Sequence, residues 1–192
     1  MNYLFVLLLF LGQSSQHKVQ KTYSIIFRGD KAGELKSSRW EEDGATIFEN
    51  QSLVNIKMLT TLEVRYRQRA VFDGQGLKVA NYTLWINDKM HKSSVVKREG
   101  SVYRATINGN KHIISSPITY SSSCLMLTEP NQNQLVFSEQ LAEFHTVVEV
   151  APNQFKKTAS DGKVNSYRYT SDGVLKYAKL DGGLMNFELK LQ

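Results

Sequence analysis

Leu62-Glu63-Val64-Arg65-Tyr66-Arg67-Gln68-Arg69-Ala70 alternates almost residue by residue between apolar and charged side chains. In an extended chain successive side chains point to opposite faces. Leu62, Val64, Tyr66 and Ala70 therefore fall on one face, and Glu63, Arg65, Arg67 and Arg69 on the other. The stretch predicts a half-buried β-strand, one face packed and the other turned to water or to a ligand. The longer run around it, Ala45 to Phe72, exceeds a typical strand and predicts a bend or bulge near Lys57–Thr61.

The same pattern extends along the chain. Turn signals recur at roughly 8–12-residue spacing, among them Arg28-Gly29-Asp30, Asp43-Gly44, Asp73-Gly74-Gln75-Gly76, Asn87-Asp88, Asn108-Gly109, Pro152-Asn153, Asp161-Gly162 and Asp172-Gly173. Asn-Gly and Asp-Gly supply the positive φ that tight hairpins need, so every glycine of the domain is assigned to a hairpin turn. Between the turns lie Tyr23–Phe27, Tyr82–Ile86, Val102–Ile107 and Asn186–Leu191, rich in aromatic and β-branched residues. The pattern predicts an all-β antiparallel sandwich or barrel. Two short helical segments are expected: Phe137 to Phe144, with Ser138 as N-cap and Glu139 near the positive end of the dipole, and a turn within Ser121–Met126.

The first residues have a different composition. An apolar run, Leu4 to Leu11, is followed by Gly12-Gln13-Ser14, the layout of a secretory signal peptide. The run falls well short of the ~20 residues of a membrane-spanning helix. Residues 1–14 are read as a cleaved signal and 15–192 as one domain, exported to the periplasm or beyond, with no membrane span after cleavage. The formal charge of +6 suits anionic partners without specifying one. A single cysteine, Cys124, allows no intrachain disulfide, so packing and strand pairing must hold the domain.

Catalytic spacing is absent. Cys124 stands in the apolar run Cys124-Leu125-Met126-Leu127, which favours a buried neutral thiol. Ser121–Ser123 read as turn or cap residues, since no Gly-x-Ser-x-Gly elbow is present. Neither histidine spacing nor a Cys pair nor an Asp-x-Asp loop forms a metal site, and no cofactor is expected. Glu139 and Glu143, four residues apart on the expected helix, read as a solvated face. Arg65, Arg67 and Arg69 are the pointed electrostatic feature, able to grip phosphate or carboxylate or simply to solvate an outer face. Tyr167-Arg168-Tyr169 interleaves aromatic and basic residues, but period 2 sends both tyrosines to the core, and no nucleic-acid partner is expected.

A wider set of motifs carries a resemblance. Tyr23-Ser24-Ile25-Ile26-Phe27-Arg28-Gly29, Ala32-Gly33-Glu34-Leu35, Ala70-Val71-Phe72-Asp73-Gly74 with Leu77, Pro117-Ile118-Thr119-Tyr120-Ser121 with Leu125 and Glu129-Pro130 are joined by Val136-Phe137-Ser138-Glu139 and Asp161-Gly162-Lys163-Val164-Asn165-Ser166-Tyr167-Arg168-Tyr169. In order and spacing the set resembles a family of exported bacterial proteins, common in the Bacteroidota, catalogued as a domain of unknown function. The chain departs from it with Leu125-Met126-Leu127 in place of a Leu-Tyr-Phe-like run, and with Leu141-Ala142-Glu143 where a glycine is usual. The resemblance implies one strongly curved antiparallel sheet or partly closed barrel, lipoprotein-carrier-like or lipocalin-like, and brings no catalytic residues.

Residues 115–141 should then cross one end of the sheet, with Ile118, Leu125 and Phe137 packed inward and Pro117 and Pro130 interrupting pairing. The expected function is a non-catalytic envelope protein that binds a lipid, another amphiphile or an envelope component, with Arg65, Arg67, Arg69, Tyr120 and Glu129 as candidate ligand-binding residues. The alternative is a hydrolase of envelope glycans or lipids, in which Glu129, Glu139 or His145 converges near Cys124 and Ser138.

Overall fold

The computed structural model describes residues 18–57, 61–182 and 185–192; the expected signal peptide lies outside them. Its strands are β1 (Val19–Phe27), β2 (Asp30–Glu42), β3 (Ala45–Lys57), β4 (Thr61–Asp73), β5 (Gly76–Ile86), β6 (Lys89–Glu99), β7 (Val102–Ile107) and β8 (Asn110–Ile114). After an irregular segment come β9 (Leu135–Ser138), β10 (Glu143–Ala151), β11 (Gln154–Thr158), β12 (Val164–Tyr169), β13 (Leu175–Asp181) and β14 (Asn186–Leu191). The expected all-β architecture is what the chain adopts. All pair antiparallel in a single sheet of order β8-β7-β6-β5-β4-β3-β2-β1-β14-β13-β12-β11-β10-β9.

That order is two up-and-down meanders, β1–β8 and β9–β14, joined into one open sheet where β1 pairs with β14, Tyr23 facing Leu191 and Ile26 facing Glu188. Its two free edges, β8 and β9, are joined by the segment 115–134. The sheet must curl. β5 and β9 stand ten strands apart in the order, about 48 Å in a flat sheet at ~4.8 Å per strand, yet Leu77 and Phe137 share one buried cluster with Ile118 and Cys124. Register shifts at Ile25/Ile26, Val71/Phe72, Leu84/Trp85 and Arg168/Tyr169 mark where strands bend.

The linking segment fills the concave side. Its backbone cannot pair as a strand, so its polar groups are met by side chains from the sheet. Tyr23 of β1 donates its hydroxyl to the Met126 carbonyl at 2.5 Å, and Tyr169 of β12 donates to that of Leu125 at 2.8 Å. Asn50 Nδ2 of β3 donates to the Ser123 carbonyl at 3.1 Å. The Leu77 amide of β5 donates to the Ile118 carbonyl at 2.7 Å. At the other edge the segment runs parallel to β9, the Phe137 amide donating to Tyr120 and the Ser122 amide to Phe137. Ile118, Leu125 and Phe137 are fully buried, as expected, and Cys124–Met126 form a single 3-10 turn.

Strand β4 has the two faces its sequence demands: Gln68 and Ala70 are buried inward, while Arg67 is exposed. The expected bend near Lys57–Thr61 is instead a full reversal. Lys57 pairs with Thr61 and Thr46 with Phe72, because both halves of the run are amphipathic and can bury their apolar faces side by side. The expected helix at Phe137 to Phe144 is absent. Phe137 pairs with Phe144 and Ser138 with Glu143 in a hairpin, since Val136, Phe137 and His145 bury more as strands against the segment than one helical stripe would. Gly33 departs from the turn rule. It sits inside β2, where a Cβ would come within 2.1 Å of the Leu53 carbonyl oxygen, so glycine there lets β2 approach β3 closely.

Gly76 tests the seam between sheet and segment. Its φ is +100° and a Cβ would meet the Ile118 oxygen at 2.6 Å, whereas Gly44, at φ +73°, has nothing within 4 Å. Gly44→Ala should therefore cost only the left-handed backbone strain, about 1–2 kcal/mol. Gly76→Ala should cost clearly more in urea unfolding, because Ile118 must also move. Equal costs would mean that the segment yields freely.

Candidate functional site

The three arginines of β4 lie on the convex face, and the structure separates them. Arg65 and Arg67 line a groove of about 740 Å³ together with Lys36, Gln51, Asn55 and Trp85; Arg69, two residues further along, lies outside it. Cross-strand register builds the groove in two rungs: Glu34, Leu53, Arg65 and Trp85 form one, and Lys36, Gln51, Arg67 and Thr83 the next. Arg67 is held by Glu49 at 2.7 Å. Arg65 reaches Asp88 and Glu63, with its guanidinium 5.9 Å from the Trp85 ring centre.

Tyr120 and Glu129 are not brought to the arginines. Tyr120 is part of the segment, its hydroxyl donating to the Thr128 carbonyl at 2.6 Å. Glu129 is half-buried near Gly173, and burial, with the Glu149 carboxylate adding to it, raises its carboxyl above the ordinary range.

The concave face holds polar residues whose environment the sequence concealed. Glu139 is wholly buried rather than solvated. It lies in the β9–β10 turn, where its Oε1 accepts the Ser123 amide at 3.0 Å and the Ser123 hydroxyl, while its backbone carbonyl accepts from Ser94 of β6. Ser123 thus spends its hydroxyl on Glu139 and makes no side-chain cap bond to the 3-10 turn. Lys157 of β11 is buried and donates to Ser122 Oγ at 3.2 Å; burial lowers its ammonium to about 8, against the opposing pull of Glu139 and Glu143. Glu143 accepts from His145 and Ser160, both at 2.8 Å. These bonds outweigh the effect of burial and hold its carboxyl below the ordinary value. Burial and the nearby Lys157 charge hold the His145 imidazole below its own.

Glu139 and Lys157 tie the segment to the β9–β11 side of the sheet, and the Glu139 carbonyl links that turn to β6 through Ser94. Among the described residues, no hydrogen bond joins any two of Cys124, Glu129, Ser138, Glu139 and His145. Cys124 is buried, with Ser121 Oγ 3.8 Å from its sulfur, and burial pushes its thiol up to about 12. A thiol so held is protonated at neutral pH and is a poor nucleophile.

The segment leaves one end of the interior unfilled. There Ile25, Leu35, Val54, Val64, Leu180, Phe187 and Leu189 line an apolar cup of about 150 Å³, with Ser52 and Tyr66 at its wall. Strand parity places the cup on the opposite face of β2–β4 from the groove.

Comparison with known proteins agrees with this architecture. The family model described as Domain of unknown function (DUF6134) matches residues 23–192. The chain belongs to that family. No curated protein matches it. Among solved structures it is similar to a beta-barrel-like protein of the domain of unknown function DUF1849 from Brucella abortus, 12% identical, with a TM-score of 0.57 over 90% of this chain and 94% of that one. At that identity the likeness shows the fold alone. Ala142 in the β9–β10 turn has φ +51°, the left-handed conformation that glycine adopts most readily.

Two measurements probe this region. Native protein should react with a bulky maleimide at least about a thousandfold more slowly than unfolded protein, because Cys124 is reached only through global opening; rapid labelling would place the thiol at the surface. Ala142→Gly should raise stability by up to about 1 kcal/mol, since left-handed strain of roughly 1–2 kcal/mol exceeds glycine's entropic cost of about 0.5–1 kcal/mol. Ala105→Gly, in β7, should lower it in the same urea titration.

Proposed function

We propose that this protein is an exported, non-catalytic binding protein of the bacterial envelope, and that its cup receives the apolar part of a small amphiphile. The cup carries the reading. A concave site lined almost wholly by aliphatic and aromatic side chains keeps water out poorly satisfied and favours an apolar guest. At about 150 Å³ it matches cavities that stay dry and accept a benzene-sized molecule. The guest is accordingly a short chain or ring, with its polar end left outside. The apolar run Leu4 to Leu11 ahead of Gly12-Gln13-Ser14 supports export. A hydrolase is the weaker reading, because among the described residues no two of the side chains it needs share a hydrogen bond.

Titration with octanoate and with anilinonaphthalene sulfonate, followed by calorimetry and fluorescence, tests the proposal. Both should bind to the native protein, and Val64→Phe, which fills the cup, should abolish binding while the thermal melt is retained. Failure of both probes to bind, or equal binding by Val64→Phe, overturns the reading.

A further inference from the structure

We propose that the convex groove across β2–β5 is a binding site for an acidic oligosaccharide, separate from the cup. Three cations, Lys36, Arg65 and Arg67, line it beside one carboxylate, Glu34. That carboxylate is already engaged, Glu34 Oε1 accepting from Lys31 at 2.7 Å and from Gln192 at 3.0 Å. Arg67 keeps Glu49, whose side chain is 15% exposed, but Lys36 and Arg65 are not fully spent. Among the described residues Lys36 makes no ion pair. Arg65 Nε is buried against Glu63 at 3.3 Å, so the outer edge of its guanidinium, which Asp88 holds, is what a ligand would meet. Asp88, the other partner of Arg65, has a side chain 82% exposed. Ion pairs this exposed contribute little and exchange readily for a better-placed anion, and guanidinium groups grip a carboxylate in two-pronged fashion.

The remaining lining narrows the ligand class. Trp85 is half-buried with the Arg65 guanidinium over its ring, 5.9 Å from the centroid, so a ligand would share that aromatic surface with the arginine. Leu53 is an exposed apolar neighbour on the same rung. Gln51 and Asn55 present amides able to donate and accept at once. A bare phosphate would use the cations and leave the aromatic face and amides idle. A chain of sugar rings uses all of them: ring faces on Trp85, hydroxyls on Gln51 and Asn55, and acid groups on Lys36, Arg65 and Arg67. The groove runs across four strands, about 14 Å at ~4.8 Å spacing, so an elongated ligand fits it better than a compact one.

Calorimetric titration of the whole protein with an oligogalacturonate is the test. Binding is expected, with a neutral malto-oligosaccharide of equal length failing to bind. Raising salt from roughly 0.01 M to 0.1 M, which shortens the Debye length from about 30 to about 10 Å, should weaken it. Arg65→Gln/Arg67→Gln should weaken binding at least about tenfold, with Arg69→Gln, outside the groove, unchanged. Lys36→Gln, whose side chain holds no ion pair, should weaken binding severalfold and serves if the double variant fails to fold. No oligogalacturonate binding, binding unaffected by Lys36→Gln, equally tight binding of inorganic phosphate, or binding of phosphatidylglycerol vesicles in place of the saccharide would each overturn the proposal. Octanoate binding to the cup is read separately, so either proposal can fail alone.

Discussion

Everything in this fold depends on how the buried backbone of the segment between β8 and β9 finds hydrogen-bond partners. A sheet with two free edges has to close, cover or blunt them. Here the edges are bridged by about twenty residues of non-repetitive chain lying across the concave face. A buried carbonyl left without a donor costs about 1–3 kcal/mol, so such a chain is tolerated only if the sheet supplies donors where its carbonyls fall. Tyr23 and Tyr169 do so from strands on one side of the interior, and Asn50 from another. Glu139 supplies the converse, an acceptor for the Ser123 amide. The long tyrosine side chain suits this role, because its ring packs among Ile25, Leu125 and Leu189 while its hydroxyl reaches the segment.

The same arrangement explains the ionisable groups of the core. Burial raises the Cys124 thiol and the phenols of Tyr23, Tyr120, Tyr167 and Tyr169, and lowers the Lys157 ammonium. In each case the neutral form is favoured, as low-dielectric surroundings require. The sign for stability follows. Cys124, with its folded value of about 12 above the ordinary 9.0, supports the fold fully below the unfolded value and loses that support as pH rises toward the folded one. Lys157, with its folded value of about 8 below the ordinary 10.5, acts oppositely, its contribution present above the unfolded value and lost as pH falls through the folded one. The perturbed lysine reflects its burial against the segment, where it donates to Ser122.

The sequence was most informative where local rules decide. Leu62–Ala70 revealed its two faces because period 2 is written directly in its residues. The Asn-Gly and Asp-Gly turns were legible because few other residues tolerate their backbone. Glu139 was misread because its setting depends on Ser123, sixteen residues away across an irregular chain, and a carboxylate four residues before another looks like a helical surface. The cup was invisible for a related reason: Ile25, Val64 and Leu189 each read as ordinary core, and only the place where the segment stops leaves space between them. The groove was half legible. Arg65 and Arg67 were evident as a pair on one face, but Lys36, Gln51 and Trp85 join them only through the register of four strands.

Register also governs how the cup and the groove relate. Tyr66 faces the interior and Arg65 and Arg67 face outward, so the strand itself is the partition between an apolar site and a cationic one. A one-residue slip of β4 against β3 would exchange the two faces, placing guanidinium groups in the cup and Val64 in the groove. The pairing that runs unbroken from Thr46–Phe72 to Lys57–Thr61 prevents that slip, and the cost of burying an unpaired arginine enforces it. The two sites share Ser52 and Tyr66 but differ in the other side chains that give each its chemistry. Coupling between them, which must be reciprocal, therefore has one physical route: a guest that spreads β3 from β4 would also change the spacing of Leu53 from Arg65. A guest that fits the existing cup leaves that spacing alone, and the two faces then act as independent surfaces of one sheet.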